Sequence, residues 1–405
     1  MNRKEYTDTS KQIIEIVYTR RQITRKDLAE ATGLSSLTVV KNIAALIGDG
    51  VIEETETLNT IKGRKPLFLS PNPDYGYVIG IDVGSYSIKM GIVDFSGRII
   101  EKKEVIDEFN SGFPSSILDF SELRSHIAAL ADKYGAEKLL GIGVGITGLV
   151  NNNTQTIVFC PNIRGYNNLA ISSALQEQFK VPVLVDTSAR CMALGEMFFG
   201  GGERRRQPPD DASGELSFVS VGHSIAVGTI IGGKIFRGVN GFAGELGHVK
   251  AVMGEQKVCT CGSYNCIEGY VTLPEIKNAL VGKLNEFRGY SLLKEKIENS
   301  GDISYEDMAN AVSMGDKVAV ECFGETIEKL SIVLADYVNL FNPASLVLGG
   351  GFFDMFPFVL PELERELQKQ CLTPSLWGIK LGISELSVDG AIKGSAMQII
   401  QTMWE

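Results

Sequence analysis

The residues best equipped for chemistry lie close together in the chain: His248, Cys259, Cys261 and Cys266. Three thiols within eight residues, with a histidine eleven positions upstream, match a tetrahedral Cys3His set for Zn2+. Thiolates are soft donors and favour zinc over the hard cations. Four protein ligands leave no position for water, so the expected zinc is structural and a zinc-dependent hydrolase is set aside. The other cysteines, Cys160, Cys191, Cys322 and Cys371, stand alone in apolar contexts and read as core residues. Zinc at this place would stiffen the segment that carries two carboxylates, Glu245 and Glu268.

The chain around this set has 405 residues, 44% hydrophobic and 22% charged. That is a globular mixture with enough apolar material for two to four domains, and too little charge for disorder. No apolar run reaches the roughly 18 to 20 residues that span a bilayer, so no membrane partner is expected. The first eight residues show no apolar leader, and seven cysteines, an odd number, suit a reduced cytoplasmic setting. A net charge of −10 argues against the whole molecule gripping nucleic acid non-specifically. The charge is uneven: residues 1–70 carry 11 Lys+Arg against 9 Asp+Glu, a small positive surplus on an otherwise acidic chain.

Within that head, residues 9–18 place Ile13, Ile16 and Val17 on one face of a helix. Thr24 and Asp27 form a capping-box pattern for a short second helix over 25–31, and Gly33 offers the left-handed turn that ends it. Ser35 caps a third helix to about residue 47, with Val39, Ile43 and Leu46 inward. Ser36, Thr38, Lys41 and Asn42 are then the candidates for base edges and phosphates. Two short strands follow, around a loop ending Gly63-Arg64-Lys65-Pro66, with Arg64 and Lys65 as further DNA contacts. Three helices and a hairpin with a basic tip predict a winged helix-turn-helix that binds operator DNA. A small helical docking domain with a solvated charged face is the alternative.

From residue 77 onward the texture is α/β, and two stretches echo one another about 138 residues apart. The segments starting at Tyr77 and at Leu216 each read strand, glycine-containing turn, strand, turn, strand. Such a repeat implies two similar α/β lobes, with a small ligand expected between them.

In order, these segments resemble the ROK family of repressors, uncharacterised frames and sugar kinases. The resemblance rests on Gly63-Arg-Lys-Pro, Gly80-Ile-Asp82-Val-Gly84, Gly141-Ile-Gly-Val-Gly-Ile-Thr-Gly-Leu149, Gly244-Glu-Leu-Gly-His248, Cys259-Thr-Cys-Gly-Ser-Tyr-Asn-Cys-Ile-Glu268, Asn342-Pro and Gly349-Gly350. With its head, the chain looks like the xylose and N-acetylglucosamine repressor branch. The resemblance implies an N-terminal winged helix-turn-helix followed by a two-lobed actin-like ATPase (sugar-kinase-like) α/β body. Domains are expected at 1–70, 71–190 and 191–405, with the C-terminal helix able to return to the first lobe. It also implies that Glu245, His248 and Glu268, joined by Asn162, face a monosaccharide or sugar-derivative effector.

Departures from the family pattern bear on activity. The kinase sequence Asp-x-Gly-Gly-Thr is here Asp82-Val-Gly84-Ser85-Tyr86, and Gly-Thr-Gly-x-Gly is Gly222-His-Ser224-Ile-Ala226. Side chains at Tyr86, Ser224 and Ala226 would obstruct the backbone approach to phosphate. Counting back from Ala193-Leu-Gly-Glu196 puts Thr187-Ser188 where kinases carry Asn-Asp, the aspartate being the general base. A serine cannot accept that proton at neutral pH, and a missing base costs about 10²–10⁴ in rate. A two-residue slip would bring in Asp186, on the same face of the strand. The expectation is a sugar-responsive repressor, dimeric or tetrameric, with no catalytic residue. An active ATP-dependent sugar kinase is the alternative.

Overall fold

Polar side chains that satisfy the free N–H groups of a helix's first turn start each helix of the head. In α1 (Asp8–Arg20) Thr7 accepts from the Ser10 amide, in α2 (Arg25–Thr32) Thr24 accepts from Asp27, and in α3 (Ser36–Gly48) Ser35 accepts from Thr38. Asp27 answers through its carboxylate, which takes the Thr24 hydroxyl at 2.7 Å. Gly33 ends α2 at φ 67°, which a glycine adopts without strain. Strands β1 (Ile52–Glu56) and β2 (Leu67–Pro71) pair antiparallel and close the domain. Its core is Ile13, Ile14, Val17, Leu28, Val39, Ile43, Leu46, Val51 and Leu69. Ile16, expected inside, is only half-buried, and Ile14 takes that place. The computed structural model describes residues 5–56, 67–84, 87–106, 120–160, 163, 165–201, 214–250, 256–387 and 389–405.

The echo seen in the sequence is a duplication of sheets. The first lobe runs β3 (Tyr77–Val83), β4 (Ser87–Asp94), β5 (Ile99–Ile106), α4 (Phe120–Tyr134), β6 (Leu139–Ile146), β7 (Leu149–Asn151), β8 (Thr156–Phe159), α5 (Ile171–Phe179), β9 (Val183–Thr187) and α6 (Ser188–Phe199). The second runs β10 (Leu216–Val221), β11 (Ile225–Ile231), β12 (Lys234–Ile235), α7 (Glu268–Val271), α8 (Leu273–Glu286), α9 (Leu292–Ser300), α10 (Tyr305–Ser313), α11 (Lys317–Phe341), β13 (Ser345–Gly349), α12 (Gly351–Met355), α13 (Leu360–Gln370) and β14 (Lys380–Ile383). Strand order is β5-β4-β3-β6-β9 in one sheet and β12-β11-β10-β13-β14 in the other. Each has three antiparallel strands followed by two parallel ones. The central strand β3 is buried along its whole length, which its unbroken Tyr-Val-Ile-Gly-Ile-Asp-Val run requires. Helix α11 runs unbroken for 25 residues, started by Asp316 accepting from Val318 and Ala319.

The last helix, α14 (Asp389–Gln401), packs on α6, β3 and β6 at backbone contact. A Cβ at Gly394 would fall 1.6 Å from the Cys191 carbonyl oxygen, and one at Gly143 would fall 1.9 Å from that of Ser395. The chain divides into two compact units: Met1–Ala212 with Val239–Gly241 and Val388–Glu405, and Ser213–Gly238 with Phe242–Ser387. The expected boundary after residue 190 would cut α6, which instead lies whole in the first unit, together with the C-terminal helix. The head belongs to this unit as well. Tyr18 packs against Phe95, Phe198 and Trp404 with ring centroids 5.3–6.2 Å apart, and the Arg21 guanidinium lies over Tyr18 and Phe199. Among the described residues no single helix is long and apolar enough to cross a membrane.

Candidate functional site

In the second unit a short run beside β11 carries the candidate ligand residues. Gly244 sits at φ 104°, where a Cβ would fall 2.2 Å from the Val227 carbonyl oxygen, so only glycine lets the chain lie this close to the sheet. A 3-10 turn, Leu246–His248, follows Glu245 directly. Glu268 opens α7, and its Oε2 accepts the Ile225 backbone N–H at 2.9 Å. Burial pushes the Glu268 carboxyl above the ordinary range, opposed by that N–H and by His248. The His248 Nε2 lies 3.9 Å from Glu245 Oε2, and both side chains are about one-third exposed. Glu245, His248 and Glu268 thus share one end of β11.

The other ring nitrogen of His248 faces the thiols. Nδ1 is 3.7 Å from Cys259 Sγ, Cys261 and Cys266 are 3.7 Å apart through sulfur, and all four donor atoms lie within 4.8 Å of one another. Tetrahedral Zn–S bonds of about 2.3 Å give sulfur–sulfur edges of about 3.8 Å, so these separations suit a metal ion. Backbone bonds shape the loop: Gly262 N–H meets the Cys259 carbonyl at 2.9 Å, Cys259 N–H meets that of Ser263 at 2.8 Å, and Lys250 pairs with Cys266 as an isolated bridge. Burial pushes the Cys259 thiol up to about 11, the reverse of what a coordinated thiolate shows. The Lys250 ammonium donates to Cys266 Sγ at 2.8 Å. The group could hold a metal ion.

The first unit holds Ser188, expected from the sequence to stand where kinases carry their base. Ser188, the first residue of α6, donates its hydroxyl to Asp82 Oδ1 at 2.6 Å, and burial pushes the Asp82 carboxyl upward. Asp186 is engaged in bonds of its own. Its Oδ1 accepts from Arg190 Nη1 at 2.8 Å and from the Thr187 amide at 2.9 Å, and it is fully buried. Asp186 and Ser188 do not share one face of a strand, because β9 ends at Thr187 and Ser188 is already helical. Arg190, 1% exposed, also holds the Gly241 carbonyl at 2.8 Å. In the second unit the β10–β11 turn is short, with Gly222 N–H on the Ser224 carbonyl at 3.0 Å. Ala226, expected in that turn, lies inside β11 opposite Ser220. Tyr86 lies outside the described residues.

On the head, Ser36 and Lys41 are exposed on α3. Thr38 and Asn42 are half-buried and already bonded within the head: Thr38 Oγ1 shares a 2.9 Å bond with Ser35 Oγ. Asn42 accepts from Ser10 Oγ and donates to the Thr38 carbonyl, both at 2.9 Å. Their amide and hydroxyl groups tie α3 to its own cap and to α1. Arg64, Lys65 and Asn162 lie outside the described residues.

A ROK family model matches residues 78–397, four-fifths of the chain. The chain belongs to the ROK family. Residues 7–53 match a winged helix-turn-helix DNA-binding model. A xylose repressor of Bacillus spizizenii is 30% identical over 89% of this chain and 86% of its own length. An N-acetylglucosamine repressor of Escherichia coli is 27% identical over 93% of the chain and 88% of its own. Among solved structures, a ROK family transcriptional regulator described as a homologue of the E. coli MLC protein superposes with a TM-score of 0.78 at 22% identity, covering 98% of this chain and 97% of that one. That likeness establishes the fold: a winged helix-turn-helix ahead of an actin-like, sugar-kinase-like body. Arg190 and Lys250 escaped sequence reasoning. Arg190 could have been paired with Asp186 by their four-residue spacing ahead of a helix, whereas nothing in the sequence brings Lys250 to Cys266.

Proposed function

We propose that this ROK protein is a sugar-responsive transcriptional repressor whose body senses a monosaccharide without phosphorylating it. The observation that carries this reading is the combination, in one chain, of a winged helix-turn-helix with a kinase-like lobe whose base position is Ser188, already bonded to Asp82. Glu245, His248 and Glu268 are the proposed sugar contacts, with Asn162, because carboxylates accept hydrogen bonds from vicinal hydroxyls and apolar walls cannot. His248 would serve both sites, Nδ1 toward a zinc ion shared with Cys259, Cys261 and Cys266 and Nε2 toward the sugar. That zinc supplies rigidity, with no open position for chemistry. Two heads in a homodimer, or in a tetramer built from dimers, would reach half-sites about 34 Å apart along operator DNA in the cytoplasm.

For the sugar to release the operator it must bind the arrangement of heads that does not fit DNA more tightly than the one that does; equal affinity shifts nothing. D-Xylose and N-acetylglucosamine are the first probes, since relatives with those names span nearly the whole chain. The test measures affinity for a duplex selected by the full chain from a random pool, with and without each sugar. A sugar that binds and changes operator affinity supports the reading. Sugar-dependent ATP turnover at ordinary rates of about 1–10³ s⁻¹ overturns it in favour of a kinase.

A further inference from the structure

Helix α3 turns Val39, Ile43 and Leu46 into the core of the head, each at most 1% exposed. The opposite face, one half-turn away, carries Leu37, Val40, Lys41 and Ala44, all exposed, with Leu37 at 81% and Val40 at 42%. Single exposed leucines need no explanation. An apolar row along the outward face of a helix is different when the polar neighbours that would read bases, Thr38 and Asn42, are bonded internally. Ser36 and Lys41 are the exposed polar side chains in the first two turns of α3, and a lysine on DNA is as much a phosphate contact as a base contact. In a major groove the apolar feature of a base edge is the thymine 5-methyl group.

We propose that Leu37, with Val40 and Ala44 beside it, reads thymine methyl groups in the major groove, so that A·T pairs lie under the first two turns of α3. The inference deepens the DNA-binding reading and rests on it. Leu37 is the specificity-determining residue because it stands furthest from the protein, in the first turn of the helix, where side chains of such helices reach base edges. Lys41, one turn on, supplies the positive charge that the apolar row lacks.

The experiment keeps the protein intact and changes the DNA. A duplex is selected from a random pool by the full-length chain, and each dT in the half-site is replaced in turn by dU, which removes only the methyl group. One or two positions are expected to lose about fourfold in affinity, the value of one buried methyl converted to an equilibrium constant. Leu37→Ala is expected to weaken the dT duplex on the order of tenfold and to erase the dT–dU difference at one position. Leu37 is too exposed for this change to disturb folding. If dU is tolerated everywhere while Lys41→Ala still weakens binding, the head binds DNA but the methyl reading is wrong. If removal of residues 1–70 leaves duplex binding unchanged, the DNA-binding reading itself falls, and this one with it. If Leu37→Ala alters self-association and leaves DNA affinity untouched, the row is covered by a second copy of the head and the proposal is overturned.

Discussion

In the first lobe, Asp82 and Asp186 lie inside the protein, one receiving the Ser188 hydroxyl and the other held by Arg190. In the second, Glu245 is about one-third exposed, and Glu268 keeps one oxygen on the Ile225 amide beside a histidine and three thiols. The sheets behind the two sets have the same strand order, so the backbone does not account for the difference. Side-chain partners do. A carboxylate locked in a buried ion pair cannot take a proton from a sugar hydroxyl, whereas one near the surface can still accept hydrogen bonds. Phosphotransfer needs both kinds of site; recognition needs only the second. The proposed function needs only the second: ligand chemistry in one half of a duplicated fold, without a base in the other.

The comparison breaks first if the second lobe does not depend on metal. Cys261→Ser removes one of four donors, and structural zinc contributes on the order of 10 kcal/mol of apparent binding free energy in small modules. The expected result is loss of close to one equivalent of zinc by metal analysis and a lower melting temperature. Wild-type protein purified without zinc would end the metal assignment. Smaller, and confined to the first lobe, is Arg190→Met. It leaves the Asp186 carboxylate buried without its ion-pair partner, which typically costs about 3–5 kcal/mol in a denaturant titration. The double variant with Asp186→Asn should recover part of this, because the cost comes from the stranded charge. A loss below about 1 kcal/mol for Arg190→Met would mean that Asp186 is not committed to the ion pair and remains a candidate base.

The two halves also differ in how much of them could be read from the sequence. The Cys3His set, the duplicated strand-turn-strand pattern and the three helices of the head were legible because each depends on local spacing. The lobe boundary was not. A cut after residue 190 falls inside α6, which lies whole in the first unit, whereas the return of the C-terminal helix was expected and the backbone contacts at Gly143 and Gly394 give its physical basis. Thr38 and Asn42 have bonds inside the head that spacing alone does not show. Asn42 reads from the sequence as an outward polar group, and the structure gives its amide oxygen to Ser10 of the neighbouring helix. The apolar row at Leu37, Val40 and Ala44 could have been found by taking the positions opposite Val39, Ile43 and Leu46, instead of taking the polar residues alone.

Within the second lobe, ligand recognition and metal holding should separate. Glu245→Gln keeps the shape of the side chain and removes the charge. Hydrogen bonds to a charged group contribute about 1.5–3 kcal/mol, so sugar affinity by calorimetry should fall about 10- to 100-fold. Zinc content should not change, since Glu245 faces Nε2 of His248 and the thiols face Nδ1. Unaltered sugar binding would remove Glu245 from the proposed site.

The smallest effect concerns Lys250. Three thiolates and a neutral imidazole around Zn2+ carry a net charge of about −1. The Lys250 ammonium, 2.8 Å from Cys266 Sγ and also bonded to Ser263 Oγ, offsets that charge from outside the ligand set. Outer groups of this kind typically change metal affinity 10- to 100-fold when removed. Lys250 is exposed, and solvent screening places its effect at the lower end of that range. Lys250→Met should therefore weaken zinc retention about tenfold in a chelator competition, with one equivalent still bound at saturation. Raising the salt concentration should narrow the gap between variant and wild type, because an exposed charge is screened and a ligand is not. A loss as complete as that of Cys261→Ser would mean that Lys250 shapes the loop itself. No loss at all would mean that the cluster holds its metal by the four donors alone.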